Sequence, residues 1–296
     1  MTATAEHMCI EMASQPETWA RAEALNAERL LLPARGRKVA IVGCGTSWFM
    51  AQAYAALREN GGHGPTDAFA ASEAFLDRDY DDIIALTRSG TTTEVLELVA
   101  ANRGGARIIG IVGDTTSPLV DMVDDLIALP FADEQSVVQT RFATTALAFL
   151  RASLGEDLTQ AISDATTALN EELDDELLSA EQYSFLGRGW TVGLAHESGL
   201  KMREAAQAWT ESYPAMEYRH GPISIGAPGR VTWMLGASPA GLEQDVAVTG
   251  SRFENSSLDP MADLVRVHKL ALLRARARGL NPDLPRNLTR SVILAP

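Results

Sequence analysis

The sequence contains few of the residues that would mark a disulfide-bonded, metal-binding or nucleic-acid-binding protein. Its 296 residues include two cysteines, Cys9 and Cys44, which form neither a CxxC pair nor a metal-binding pattern. The net charge of -14 repels nucleic acid phosphates and anionic membranes. No apolar run reaches the roughly 18 residues of a membrane span, and the first residues lack a signal pattern. We therefore expect a cytoplasmic protein with no nucleic-acid or membrane partner, no metal and no disulfide.

Short apolar runs of strand length alternate with helical stretches along the whole chain. The first of these runs, 38–42, ends in a Gly-x-Gly turn and a helix, and the same unit recurs at 183–209. Such alternation is typical of βαβ units in a parallel sheet. We therefore predict an α/β fold with two tandem domains, each a mostly parallel sheet flanked by helices in a flavodoxin- or Rossmann-like three-layer sandwich. The predicted segments are an N-terminal helical segment 1–33, a first domain 34–170, and a second domain 171–296 with a C-terminal tail.

Three further local predictions can be tested directly. The pattern at 157–178 predicts one continuous helix, and the pattern at 191–209 predicts another. The stretch 250–260 has no strong pattern and is interpreted as a loop. We expect the second domain to be shortened there.

The segment 43–47, Gly-Cys-Gly-Thr-Ser, follows the first predicted strand. Glycines allow a tight turn and close approach of a ligand, and the next helix offers free N–H groups at its N-terminus. Thr46 and Ser47 add hydroxyl donors. An ordinary strand-to-helix turn with a capping hydroxyl is the alternative. The third glycine of a dinucleotide fingerprint would fall on Trp48, so that motif is absent.

A second hydroxyl-rich turn, 87–92, follows the strand predicted at 82–86. Five of its six residues, Thr-Arg-Ser-Gly-Thr-Thr, offer a side-chain donor, which suits a phosphate. The alternative is a helix-capping segment, with Glu94 completing a capping box from Thr91. Because ligands of parallel sheets bind at the carboxyl ends of strands, two such turns favour one shared site.

The predicted helix around 195–204 carries charged residues at helical spacing. Glu197, Lys201 and Glu204 are spaced i, i+4 and i+7 and share one face. A solvated salt-bridge face is the simpler interpretation. However, apolar residues surround the charges, and Lys201 is one of only three lysines in the chain. A partly buried Glu–Lys–Glu cluster suits proton transfer, because burial and neighbouring charges tune a carboxylate pKa.

His220 lies in a loop of sequence Arg-His-Gly-Pro that Gly221-Pro222 makes rigid. A lone histidine is more often structural than catalytic. Its position after the charged helix makes it a candidate for proton transfer.

Taken in order, these segments resemble the sugar isomerase (SIS) family, as found in the isomerase half of glucosamine-6-phosphate synthases. The likeness rests on CGTS at 44–47, TRSGTT at 87–92, the E-x3-K-x2-E helix at 197–204, RHGP at 219–222 and PRNLTRSV at 285–292. It covers nearly the whole chain.

The resemblance implies a role for each matching residue. Glu204 would carry a proton between C1 and C2 of an open-chain sugar. Lys201 would polarise sugar oxygens, Glu197 would support it, and His220 would assist ring opening from a second subunit. A homodimer with its active site at the subunit interface is therefore implied, without a cofactor. The implied substrate and phosphate ligands are Ser47, Thr46, Gly45, Thr87, Arg88, Ser89, Thr92, Gln139 and Arg290.

The sequence departs from the family pattern at three places. We expect no glutaminase domain before the isomerase segment and therefore no glutamine-driven amination. The family's Schiff-base lysine falls on Arg290, whose guanidinium cannot form an imine but can clamp an anion or a hydroxyl. A serine of the family's third loop falls on Gln139.

Three functions follow from this pattern. The first is an isomerase or deaminase acting on a hexose or hexosamine 6-phosphate of the glucosamine 6-phosphate/fructose 6-phosphate class. The second is a fructosamine-6-phosphate deglycase, in which a larger amine leaves. The third is a phosphosugar sensor without catalysis.

Overall fold

The structure is a computed structural model that describes residues 5–294. Eleven α-helices and nine strands follow one another within these residues. The helices are α1 Glu6–Ala13, α2 Gln15–Glu23, α3 Asn26–Arg29, α4 Thr46–Asn60, α5 Thr93–Asn102, α6 Arg141–Ser153, α7 Thr159–Asn170, α8 Asp175–Ser179, α9 Thr191–Ala206, α10 Leu242–Thr249 and α11 Pro260–Ala277. The strands are β1 Val39–Gly43, β2 Thr66–Ala70, β3 Asp82–Thr87, β4 Arg107–Val112, β5 Asp125–Ala128, β6 Gln182–Gly187, β7 Trp209–Pro214, β8 Arg230–Met234 and β9 Arg252–Asn255.

The chain forms two units, which we name by their sheets. The five-stranded unit comprises Glu17–Gln135, Gln139–Leu158 and the tail from Thr289 onward. The four-stranded unit comprises the chain up to Pro16, Ser136–Val138 and Thr159–Leu288. The α/β class with parallel sheets and flanking helices is confirmed. The domain boundaries given above stay a prediction.

In the five-stranded unit the strand order is β2-β1-β3-β4-β5, and every pairing is parallel. Strands β1 and β3 are buried along their whole length, which explains their continuous apolar sequences. Alanine, valine and isoleucine side chains from β1, β3 and β4 pack with α5 in the core. This order reverses direction between β1 and β3, so their carboxyl ends border the crevice where such sheets bind ligands.

In the four-stranded unit the order β7-β6-β8-β9 is again wholly parallel. The long helices α9 and α11 pack against each other, and α9 also packs on β6 and β7. In each sheet the strand that comes first along the chain, β1 or β6, ends in a glycine. A Cβ on Gly43 would lie 2.8 Å from the carbonyl carbon of Ser47, and one on Gly187 would lie 2.2 Å from the Thr191 carbonyl oxygen. Each glycine therefore allows the following helix to start directly against its strand.

Three local predictions were wrong. The helix predicted at 157–178 is two helices, α7 and α8, because the Asp174 carboxylate accepts a hydrogen bond of 2.9 Å from Leu177 N and starts a new helix. The helix predicted to reach residue 209 ends at Ala206, where Gln207 adopts a left-handed φ of 50° and β7 follows. The loop predicted at 250–260 contains β9. Both missed strands lie at sheet edges and carry polar residues, so they lack an apolar run.

Within residues 5–294, no helix is long and apolar enough to cross a membrane.

Candidate functional site

The expected ligand-binding edge of the five-stranded sheet begins at the turn after β1. Gly45 has a φ of 52° and precedes the first residue of α4, so the turn uses the conformational freedom of glycine. Thr46 and Ser47 form the first turn of α4, and each is only 4% exposed. Neither hydroxyl has a hydrogen-bond partner within the described residues. These donors are therefore available to an anion at the positive end of the helix.

The neighbouring turn after β3 is internally hydrogen-bonded. Thr87 Oγ1 accepts from Gly90 N at 3.2 Å, and Ser89 Oγ accepts from Thr91 N at 3.3 Å. The capping box from Thr91 to Glu94 does not form, because Thr91 Oγ1 instead lies 2.8 Å from Ser291 Oγ. Helix α5 starts after Thr92, whose buried side chain makes no capping hydrogen bond. The structure thus brings two helix N-termini and several hydroxyls to adjacent strand ends.

Arg88 and Arg290 are occupied within this unit. Arg88 is buried, and its Nη2 donates to the Arg290 carbonyl oxygen at 2.7 Å. The Arg290 guanidinium donates to Asp133 Oδ1 at 2.6 Å and to the Glu134 carbonyl oxygen. Asp133 therefore neutralises the charge of Arg290, so its predicted anion-clamping role would require this pair to break.

Gln139 lies just before α6, beside the buried carboxylate of Glu134. That carboxylate accepts from the backbone N–H groups of Thr140, Arg141 and Phe142 at 2.7, 2.8 and 2.9 Å. It caps α6 from within the chain, a contact that was not predicted from the sequence. The Gln139 Oε1 atom is buried without a hydrogen-bond partner in the described chain.

The charged face of α9 in the four-stranded unit is buried, not solvated. The Lys201 and Glu197 side chains are each 1% exposed, and Lys201 Nζ lies 3.5 Å from Glu197 Oε1. Lys201 Nζ also donates to Glu204, whose side chain is 20% exposed. The cluster therefore consists of a buried cation between an inner carboxylate and an outer carboxylate that solvent can reach.

His268 and Gln15 lie behind this cluster and were not predicted. His268, on α11, is completely buried, and its Nδ1 lies 3.3 Å from Gln15 Nε2. Burial and the nearby Lys201 charge lower the pKa of His268 to about 3, so the ring is neutral. An amide N–H can only donate, so Nδ1 accepts and Nε2 carries the proton. Helical periodicity could place His268 on a buried face of α11 but could not identify its neighbours.

Glu204 borders a pocket of about 430 Å³ in the four-stranded unit. The pocket wall includes Leu200, Arg203, Glu204, Arg286, Asn287 and Leu288. Of these, only Glu204 was predicted as a site residue. Arg286 was visible in the PRN sequence, but its position beside Glu204 depends on the fold.

His220 is exposed at the end of a short 3-10 helix, Glu217–His220. Its ring makes no hydrogen bond within residues 5–294. The loop itself is well anchored, because the buried Tyr218 hydroxyl lies 3.1 Å from Thr232 Oγ1. Next to it, Arg219 Nε donates to Asp245 at 2.6 Å. The histidine is therefore held on a firm loop with its ring open to solvent.

The sequence of this chain is similar to those of curated proteins. The chain is 27% identical over 293 residues to a glutamine–fructose-6-phosphate aminotransferase (isomerizing) of Sulfolobus acidocaldarius. That match covers 86% of this chain and 50% of the relative, so the chain spans about half the length of the curated relatives it matches. No protein-family model matches the chain.

Solved structures share the fold. A glucosamine-6-phosphate deaminase from Thermotoga maritima superposes with a TM-score of 0.83 at 23% identity, over 98% of this chain and 100% of that chain. A tagatose-6-phosphate ketose/aldose isomerase from Escherichia coli superposes with a TM-score of 0.80 at 17% identity, over 100% of this chain and 99% of that chain. At these identities the two matches establish the fold alone.

Proposed function

From the premise that the homologues of this chain are the isomerase (SIS) domain of the aminotransferases, we propose that it is a cytoplasmic phosphosugar isomerase or deaminase. It would act on a hexose or hexosamine 6-phosphate by moving a proton between C1 and C2. We further propose that its two units are tandem SIS-type domains. The matching strand orders support this. In each sheet the strand that is second along the chain lies at one edge, and the first, third and fourth strands along the chain follow it across the sheet.

One observation carries the proposal: Glu204 is a carboxylate at the wall of a pocket with a buried cation directly behind it. A general base must reach its substrate and must have a proton affinity that neighbouring groups can tune. Lys201 is ion-paired to Glu204 and is itself enclosed. Its positive charge can therefore stabilise negative charge that develops on sugar oxygens beside Glu204.

The phosphate is assigned to the hydroxyl-rich turns of the five-stranded unit. Ser47, Ser89 and Thr92 are buried side chains at adjacent strand ends, and two helices begin there. Backbone N–H groups and hydroxyls bind phosphate without lysine. This suits a chain with a net charge of -14.

For glucosamine 6-phosphate the proposed steps balance without a redox cofactor. Once the ring is open, Glu204 removes the proton from C2 and returns it to C1, while one proton of the amine is transferred to O1. The C1 aldehyde thereby becomes a hydroxymethyl group and the amine becomes an imine at C2. Water adds to the imine carbon, the C–N bond breaks, and ammonia leaves with fructose 6-phosphate. With a hydroxyl at C2, the same proton transfer interconverts an aldose and a ketose.

We propose that His220 transfers a proton to or from the sugar ring during ring opening. This histidine would belong to a second copy of the chain. Its exposed ring on an anchored loop supports this proposal. Glu204 and His220 would then come from different subunits of a homodimer.

Turnover of glucosamine 6-phosphate tests the proposal. Ammonia and fructose 6-phosphate should appear in equal amounts, and product formed in deuterated water should carry deuterium at C1. Glu204→Gln should lower kcat by at least about a hundredfold. The exposed Glu243→Gln serves as the matched control and should leave kcat unchanged. Full activity in Glu204→Gln would exclude this base.

A further inference from the structure

The second Gly-x-Gly turn of the chain, 187–189, borders a pocket that the proposed function does not use. The turn follows β6, whose carboxyl end lies beside that of β8, with Leu186 paired to Met234. The strand order β7-β6-β8-β9 reverses direction between these two strands. Ligands of open parallel sheets bind at such a reversal. The topology of the four-stranded sheet therefore favours a ligand at this turn.

The pocket has a volume of about 270 Å³, and three segments form its wall. Arg188 and Trp190 follow β6, Ala237 and Ser238 follow β8, and Pro260 begins α11. The volume lies just below the range of about 300–1,000 Å³ that is usual for drug-sized ligands, so a ligand of this pocket is small. The wall shares no residue with the pocket that contains Glu204.

Hydrogen bonds around the end of β8 hold this wall in place. Thr191 Oγ1 accepts from Arg188 N at 2.8 Å and donates to the Leu235 carbonyl oxygen at 3.0 Å, which ties the turn to the end of β8. From the neighbouring strand, Asn255 Nδ2 donates to the Gly236 carbonyl oxygen at 2.8 Å. The pocket is therefore preformed, which lowers the entropic cost of binding.

Arg188 gives the pocket its charge. It is the only charged residue that the described chain contributes to the wall, which therefore has a net charge of +1. Its side chain is exposed and makes neither an ion pair nor a hydrogen bond within residues 5–294. The carboxylate of Asp259, next to Pro260 in sequence, lies outside the wall and caps α11 by accepting from Met261 N at 2.9 Å. An anion that enters the pocket thus meets one available guanidinium.

The charge and the donors of the pocket suit a carboxylate better than a phosphate. The first two N–H groups of α9, those of Thr191 and Val192, already donate to the carbonyl oxygens of Arg188 and Gly189, both at 3.2 Å. A phosphate monoester carries between one and two negative charges at pH 7, which a single guanidinium does not balance. A carboxylate carries one negative charge, and its two oxygens match the planar donors of a guanidinium.

We propose that this pocket binds a small monocarboxylate with an apolar carbon body, whose carboxylate pairs with Arg188. The half-buried Trp190 and Pro260 supply apolar surface for the carbon body. Ser238 Oγ makes a long hydrogen bond of 3.4 Å to the Pro239 carbonyl oxygen, so its hydroxyl can turn to donate to the ligand. The proposal adds a second ligand site to the chain and does not depend on turnover of a sugar phosphate.

Benzoate and benzamide test the proposal, because they share a ring and differ in charge. The chain has five tryptophans, and NMR of isotopically labelled protein resolves their indole N–H signals. The signal of Trp190, identified by its loss in Trp190→Phe, should shift on addition of benzoate. The Kd for benzoate should be at least about tenfold below that for benzamide, the effect of a charge-assisted hydrogen bond.

Two variants and one control locate the binding. Arg188→Gln should bring the Kd values of benzoate and benzamide together. Ala237→Leu adds bulk at an exposed position of the wall and should weaken both ligands by about tenfold or more. Arg286→Gln is the matched control, because Arg286 is also an exposed arginine without an ion pair in the described chain but borders the other pocket. It should keep the wild-type preference.

Four results would overturn the inference. Benzoate could leave the Trp190 signal unchanged, or benzamide could bind as tightly as benzoate. The preference for benzoate could survive Arg188→Gln, which would place the carboxylate elsewhere. Phenyl phosphate could bind more tightly than benzoate, which would show that the pocket selects a phosphate.

Discussion

Lys201 Nζ lies 3.5 Å from Glu197 Oε1, and both side chains are 1% exposed. A buried ion pair contributes little by itself, because desolvation offsets most of its attraction. Removing one partner is different, since the other charge then stays enclosed without its counter-ion. The pair therefore affects both the stability of the packed helix α9 and the charge around Glu204.

Lys201→Met should lower the free energy of unfolding by about 3–5 kcal/mol, because Glu197 loses its buried cation. Urea denaturation at pH 7 measures this loss. The double variant Lys201→Met/Glu197→Leu should recover a large part of it, since no buried charge remains. The exposed Lys38→Met is the matched control and should change stability by less than about 0.5 kcal/mol. A Lys201→Met variant as stable as this control would contradict the role given to the pair.

Acid should destabilise the protein through His268. Its pKa is about 3 in the folded chain, against an ordinary value of 6.5, because burial and Lys201 disfavour the charged ring. The unfolded chain therefore binds a proton that the folded chain does not, so stability is lost as pH falls below about 6.5. Between pH 7 and pH 5 this amounts to about 2 kcal/mol.

Urea denaturation of His268→Gln at both pH values isolates that contribution. Wild type should lose about 2 kcal/mol more than the variant over this range. The exposed His7→Gln should behave as wild type. An equal loss in wild type and His268→Gln would show that His268 titrates normally.

The hydroxyls of Ser47 and Thr92, which make no hydrogen bond within residues 5–294, should matter for the phosphate. Ser47→Ala and Thr92→Val each remove one donor, so the preference for glucosamine 6-phosphate over glucosamine should fall about tenfold, as expected for a hydrogen bond to a charged group. Calorimetric dissociation constants for both sugars give this ratio. Ser179→Ala, on the exposed end of α8, should retain the wild-type preference. An unchanged ratio in both site variants would show that the phosphate binds elsewhere.

Mixing two inactive variants tests the proposed dimer. Glu204→Gln and His220→Ala should each be nearly inactive alone. If each active site combines Glu204 of one subunit with His220 of another, unfolding and refolding an equal mixture makes half of all dimers mixed, each with one intact site. About a quarter of wild-type activity should return, and cross-linking should detect the dimers. Activity that stays at the level of the separate variants would place both residues in one subunit.

Several residues of the proposed site could be predicted from the chain because their signals are local. Glycines and hydroxyls directly after apolar strands predicted the turns at 43–47 and 87–92. The spacing of Glu197, Lys201 and Glu204 predicted their shared helix face. The edge strands β7 and β9 were missed because they are half-exposed and carry polar residues, so neither an apolar run nor strict alternation marks them.

Three features depended on residues distant in sequence. The sequence predicted that Arg290 can clamp an anion. In the structure its guanidinium is paired with Asp133, which lies 157 positions away in the chain. Arg286 became a residue of interest only when the fold placed it in the same pocket wall as Glu204. His268 becomes informative only when Gln15 and Lys201 are found as its neighbours.

The sequence by itself determined most of the alternating strands and helices, the hydroxyl-rich turns and the spacing of the charged face on α9, because periodicity and turn chemistry act over a few residues. The tertiary structure decided that Glu197 and Lys201 are enclosed while Glu204 faces a pocket. It also decided that, among the described residues, Arg290 has an ion-pair partner and Arg286 has none. Desolvation and ion pairing depend on which remote segment covers a side chain. That information arises only when the packed chain excludes water.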